Sequence, residues 1–147
     1  MTDTVNVIRT LLLPADKVWQ AISQIGGLDR WFPIISACHV VGSGVGATRL
    51  LILAAGGHMR DVVEVIDHQH QFFQYQRTES PLPVSSYRGR VTIAALSPNS
   101  SELTWSIEML VNDISAEQRA ELHSFIESAL SDGIKGLEQE LSGVGNA

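Results

Sequence analysis

Between residues 36 and 111 the chain repeats one pattern six times: a short segment in which apolar and polar side chains alternate, closed by residues that favour turns. The segments are 36–41, 47–54, 57–66, 71–78, 84–96 and 101–111. Alternation at period two is the mark of a strand buried on one face. Parallel neighbours need a crossover of a dozen or more residues, which these connections lack, so six such strands in succession must pair as antiparallel hairpins. The connections carry the expected chemistry: Gly42-Ser43-Gly44-Val45-Gly46, Gly56-Gly57, Asp67-His68-Gln69-His70 and Ser97-Pro98-Asn99-Ser100. Only residues 79–83 form a longer loop.

The flanks complete the order. Residues 4–12 read as a strand. Pro14 opens a short helix over residues 15–22 that Gly26-Gly27 ends, and residues 28–32 add one helical turn before Pro33. At the other end Ser115-Ala116-Glu117-Gln118 is a capping box. Leu122, Phe125, Ile126, Ala129, Leu130, Ile134, Leu137 and Leu141 then recur at helical spacing. Gly133 and Gly136 interrupt that long helix, which points to close packing or slack in its second half.

Composition narrows the class. With 147 residues, 44% hydrophobic and 18% charged, the expectation is one globular domain spanning residues 1–147. No apolar run reaches the roughly 18 residues of a membrane span. A formal net charge of −6 excludes the basic footprint of a nucleic-acid binder. Cys38 is the single cysteine, so no internal disulfide forms. The first ten residues lack the pattern of a secretory signal, and the cytoplasm is the expected location. Monomer and homodimer both fit.

Register arithmetic then places side chains. A hairpin centred on Ala55 pairs Arg49 with Asp61. A turn centred near Gln69 pairs Asp61 with Arg77, Val63 with Tyr75 and Val65 with Phe73. Across the longer loop Arg77 faces Tyr87. A final hairpin centred on Asn99 pairs Ala95 with Leu103, Ile93 with Trp105, Val91 with Ile107 and Gly89 with Met109. The result is one lateral row, Arg49, Asp61, Arg77 and Tyr87, on an otherwise apolar face. Buried charges need partners, and these can satisfy one another while leaving an arginine donor free. The row is open to two readings, a structural network tying four strands together or a ligand-contacting group.

The element order, with Pro14-Ala15-Asp16-Lys17-Val18-Trp19, Leu28-Asp29-Arg30-Trp31-Phe32-Pro33, the Gly-x-Gly-x-Gly hairpin running into Ala47-Thr48-Arg49, and Pro81-Leu82-Pro83-Val84-Ser85-Ser86-Tyr87, resembles the START, pollen-allergen and polyketide cyclase superfamily (SRPBCC). It is nearest in motif to the bacterial cyclase-like and lachrymatory-factor-synthase-like branch. The resemblance implies an α+β helix-grip fold: a seven-stranded curved antiparallel sheet wrapped around a long C-terminal helix, with two short helices after the first strand. It also implies functional roles for Arg49, Asp61 and Tyr87, with the departure that the branch's glutamate is here the shorter Asp61.

Three functions follow as expectations. The first is binding of a small hydrophobic or aromatic molecule, lipid- or polyketide-like, in a cavity of roughly 300–1,000 Å³, with one polar or anionic group against Arg49. Lining residues would be Arg49, Arg77, Tyr75, Tyr87, Leu51, Val63, Val91, Trp105, Ile107, Met109, Trp31, Phe32, Phe125, Ile126, Ala129 and Leu130. The second is a cyclase, dehydratase or isomerase without metal or organic cofactor, in which Asp61 and Tyr87 shuttle a proton. Two adjacent arginines would push the Asp61 pKa down, which favours binding over base catalysis. The third is a co-chaperone-like interaction domain, against which the charged outward phase (Arg88, Arg90, Glu102, Glu108) argues. His68 and His70 read as a solvated turn, not as a metal pair.

Overall fold

A computed structural model of the protein describes residues 2–143. Its elements are β1 (Asp3–Leu11), α1 (Ala15–Ser23), a 3-10 turn (Leu28–Arg30), β2 (Ile35–Val41), β3 (Thr48–Leu53), β4 (His58–Asp67), β5 (Phe72–Glu79), β6 (Val84–Ser97), β7 (Ser100–Val111) and α2 (Ala116–Ser142). The seven strands form one antiparallel sheet in the order β1-β7-β6-β5-β4-β3-β2. Each consecutive pair from β2 to β7 is a hairpin neighbour, and β1 returns to close against β7, the arrangement of a helix-grip α+β fold.

The period-two pattern decides which face is inside. Arg49 and Leu51 on β3, Met59, Asp61 and Val63 on β4, and Phe73 and Tyr75 on β5 are buried. So are Tyr87, Val91 and Ile93 on β6, and Leu103, Trp105, Ile107 and Met109 on β7. Helix α2 lies against this face through Leu122, Ile126, Leu130, Ile134 and Leu137. Burying each such side chain contributes on the order of 1.5–3 kcal/mol. The capping box forms: the Gln118 backbone N–H donates to Ser115 Oγ at 3.0 Å, and the Ser115 backbone N–H donates to Gln118 Oε1 at 2.9 Å.

The two glycines inside α2 mark close packing. A Cβ at Gly133 would stand 2.5 Å from the Phe32 ring, and one at Gly136 would meet the Trp31 carbonyl oxygen. The second half of α2 therefore presses on the backbone after the 3-10 turn. At these separations no side chain fits between the helix and the Trp31–Phe32 segment.

Three local expectations require correction. Helix α1 ends at Ser23, within one residue of the expected end, but the chain leaves the helix at Ile25, which takes φ 72°, ahead of the Gly26-Gly27 pair. A β-branched residue in that region is strained, and its carbonyl is held from across the core, as described below. Second, a bulge between Val63 and Val65 moves the partner of Phe73 from Val65 to Ile66. Third, the β6–β7 hairpin is shifted by two residues, so that Ile93 pairs with Leu103, Val91 with Trp105, Gly89 with Ile107 and Tyr87 with Met109. A bulge between Ala95 and Ser97 tightens that turn, and Ala95 pairs with Ser101 and is exposed. A slip of two preserves the face of every side chain, which is why the interior survives the error.

Candidate functional site

The lateral row forms. Arg49 pairs with Asp61 and Asp61 with Arg77 in the strand registers of β3–β4 and β4–β5. Arg49 Nε donates to Asp61 Oδ2 at 2.8 Å, Arg77 Nε to Oδ1 at 2.8 Å, and Arg77 Nη2 to Oδ2 at 3.3 Å. All three side chains are withdrawn from solvent, with exposures of 3% for Arg49, 0% for Asp61 and 8% for Arg77. Formal pairing between β5 and β6 ends at Gln76 and Arg88. One step further along, the Arg77 guanidinium stacks on the Tyr87 ring, 4.6 Å from its centroid.

Aromatic faces complete the surroundings of the cations. The Arg49 guanidinium lies 4.8 Å from the Tyr75 ring centroid and 5.6 Å from that of Phe73, and Arg77 lies 5.5 Å from Tyr75. Desolvated contacts of this kind stabilise a buried cation. Tyr75 can take this position because Gly89 stands opposite it on β6: a Cβ there would occupy the space of the Tyr75 ring. The Tyr75 hydroxyl accepts a hydrogen bond from Trp105 Nε1 at 3.2 Å. Arg49 Nη1 donates to the Ile25 carbonyl at 3.0 Å, fastening the strained turn after α1 to β3.

Burial alone would raise the Asp61 pKa, but Arg77 and Arg49 more than offset it and hold the carboxyl below its usual range. Asp61 is therefore an ion. Burial pushes the Tyr87 and Tyr75 hydroxyls up, so both stay protonated and able to donate. The Asp61 charge in turn raises Arg77 against the opposing effect of burial.

The row stands at the end of a cavity between the sheet and α2. Its walls are Arg49, Leu51, Tyr75, Arg77, Tyr87, Trp105, Phe32, Phe125, Ile126, Ala129 and Leu130, all expected, together with Leu28, Ile34, Ile35, Met59 and Leu82. A smaller void nearby is bounded by Ile22, Leu28, Trp31, Arg49, Phe73, Tyr75, Val91 and Trp105. Val63, Ile107 and Met109 are buried on the same face but line neither space. Asp61 lines neither as well, because the two guanidiniums stand between it and the opening. Of the residues not expected, Leu82 had a signal, a lone apolar residue between two prolines in a loop; Leu28, Ile34 and Ile35 had none beyond being apolar next to Trp31 and Phe32.

The volume expectation is corrected. The main cavity measures about 40 Å³ and the void about 10 Å³, room for a water or so where several hundred Å³ was expected. Trp31 and Phe32 pack edge to face on Trp105, at 6.4 and 5.8 Å, and meet each other in a tilted contact at 5.8 Å, filling the end under α2. Phe125 of α2, by contrast, is 51% exposed while lining the cavity, and Leu82 faces it from the loop before β6. These two side chains, Phe125 exposed and Leu82 half-buried against the core, mark the mouth of the cavity.

Outside the site, the outer sheet face carries a polar ladder: Arg88 Nε donates to Glu64 at 2.7 Å and Arg90 Nε to Gln74 at 2.8 Å. In the 67–70 turn His70 pairs with Asp67, and His68 accepts from buried Trp19. Among the described residues no group of three or more His, Cys, Asp or Glu could hold a metal ion. No described helix is long and apolar enough to cross a membrane.

Sheet order and terminal helix are those of the SRPBCC class of helix-grip proteins. Within it, the chain belongs to the polyketide cyclase / dehydrase and lipid transport family, which matches residues 2–142. Solved structures share the fold. XoxI from Bacillus cereus is 23% identical, with 94% of each chain covered and a TM-score of 0.82. The Zhui aromatase/cyclase from a Streptomyces strain is 16% identical, covering 97% of this chain and 94% of that one, with a TM-score of 0.84. Norcoclaurine synthase from Thalictrum flavum, in complex with dopamine and hydroxybenzaldehyde, is 17% identical, covering 97% and 88%, with a TM-score of 0.79. No curated protein matches the chain.

Proposed function

We propose that the protein binds a small hydrophobic or aromatic molecule between the sheet and α2, with the Phe125–Leu82 mouth opening to admit it and the Arg49–Arg77–Tyr87 end receiving its polar group. The observation that carries this reading is the placement of two guanidiniums at the end of an otherwise apolar cavity, in a family named for cyclisation, dehydration and lipid transport. A purely structural role for the row would be served as well by apolar side chains of similar volume. The 40 Å³ space then describes a closed state.

Proton abstraction by Asp61 is not part of the proposal. Its carboxylate is held ionised below the usual range, accepts three hydrogen bonds from the two arginines and lines neither cavity space. Tyr87 remains available as a donor to a ligand oxygen. Should the bound molecule react, its role would be to stabilise developing negative charge.

The test is titration with the neutral apolar fluorophore N-phenyl-1-naphthylamine. Wild-type protein is expected to bind it saturably, one to one, with blue-shifted emission. Ala129→Trp, which fills the mouth from α2, is expected to abolish the signal. An undiminished response in that folded variant would place the dye elsewhere and refute the proposal.

A further inference from the structure

The charges and hydrogen-bond donors around the cavity do not balance, and both imbalances have the same sign. Arg49 and Arg77 are the only charged residues lining it among the described residues, and the single buried carboxylate, Asp61, neutralises just one of them. Each guanidinium has five N–H donors, yet together they make four hydrogen bonds, three to Asp61 and one to the Ile25 carbonyl. Tyr75 already accepts from Trp105 and keeps its own proton to give. The Trp31 indole Nε1, on the adjoining void, is buried with no hydrogen-bond partner.

Donor excess alone would be met by any oxygen acceptor, including a neutral carbonyl. The excess positive charge is not met by a carbonyl. An uncompensated ion in an apolar site is costly, and stacking on Tyr75, Tyr87 and Phe73 offsets only part of that cost. One group satisfies both imbalances at once: a single negative charge carried on oxygen. A dianion would reverse the sign of the site, and a cation would add to its excess.

Building on the binding reading above, we infer that the ligand is an apolar monoanion, a carboxylate, enolate or phenolate, whose charged oxygen sits against Arg49 and Arg77 while its apolar body lies along Leu51, Trp105 and Leu130. The Arg–Asp–Arg row then acts as a receptor with one vacancy for a negative charge, and Asp61 sets that vacancy at one by occupying the other position.

The test compares two probes of one shape, 2-naphthoate and its neutral amide 2-naphthamide, by calorimetry at low salt and pH 7. The carboxylate is expected to bind at least tenfold more tightly than the amide. In Arg49→Gln and, separately, Arg77→Gln, each of which leaves a neutral Asp61–arginine pair, the preference is expected to fall below threefold. Equal or tighter binding of the amide to wild type overturns the anion inference and leaves the binding reading standing. So does binding of N-phenyl-1-naphthylamine with neither naphthyl probe bound. A carboxylate preference that persists in both folded variants also overturns it, since the charge would then be read elsewhere. Failure of all three probes overturns the binding reading and the inference together.

Discussion

Replacing Asp61 with asparagine leaves two guanidiniums facing each other at a site largely withdrawn from solvent. In the native protein the carboxylate makes two ion pairs of 2.8 Å, with exposures of 3%, 0% and 8% along the row. Removing one partner of a buried pair costs about 3–5 kcal/mol, because the remaining charge is stranded. Here two charges are stranded, so Asp61→Asn is expected at the upper end of that range. At a urea dependence of about 2 kcal/mol per molar, the unfolding midpoint falls by roughly 2 M. Arg49→Met makes the informative comparison. It leaves a neutral Asp61–Arg77 pair and one unsatisfied carbonyl, at Ile25, and is expected to cost only about 1–3 kcal/mol. The pH dependence follows from the depressed Asp61 pKa. A carboxylate of this kind contributes stability that is fully present above its unfolded value near 4 and is lost as pH falls through its lower native value. The gap between wild type and Asp61→Asn should therefore persist at pH 5 and close only in stronger acid. Urea titrations at pH 7, 5 and 3 measure all of this. A loss below 1 kcal/mol for Asp61→Asn, or a larger loss for Arg49→Met, would refute the reasoning.

Other outcomes follow from the same geometry. Phe125→Ala, at a half-exposed mouth residue, should cost under about 1.5 kcal/mol and speed dye association in stopped flow, whereas Leu130→Ala, buried in the core, should cost about 2–5 kcal/mol; equal stability losses would argue against a mouth at Phe125. Gly89→Ala should displace Tyr75 from beneath Arg49 and break its bond to Trp105, read as a shifted indole resonance of Trp105 by NMR. Asp3 joins β1 to the first turns of α2, accepting from Arg119 at 2.6 Å and pairing with His123 at 2.8 Å. Asp3→Asn should accelerate hydrogen exchange in the first half of α2 while leaving the half anchored by Gly133 and Gly136 unchanged.

The interior of this sheet was readable because period two is robust. Arg49, Asp61, Arg77 and Tyr87 fall on one row because the β3–β4 and β4–β5 pairings follow from the turn centres, and on β7, where the expected register is displaced by two residues, every side chain still keeps its face. The displacement came from a bulge at Ala95–Ser97 that turn composition does not reveal. The strained Ile25 was invisible for another reason. Its conformation is stabilised by Arg49, a residue distant in sequence, whereas the adjacent glycines pointed to themselves. Cavity size was equally out of reach. An alternating pattern says which way Trp105 points, but the volume left between it and Phe32 depends on how the rings interlock. The same limit hid the screening of Asp61: register placed it in the row, and only the packed guanidiniums show that it is shut off from the cavity.

The proposed binding requires a small apolar molecule to enter between the sheet and α2. Chemical-shift mapping by NMR during titration with N-phenyl-1-naphthylamine tests that placement directly. The largest changes are expected in the methyl groups of Leu51, Ile126, Ala129 and Leu130 and in the indole of Trp105, which surround the cavity. Changes confined to exposed apolar residues such as Ile8, Leu12 and Val41, with the cavity walls unmoved, would contradict it.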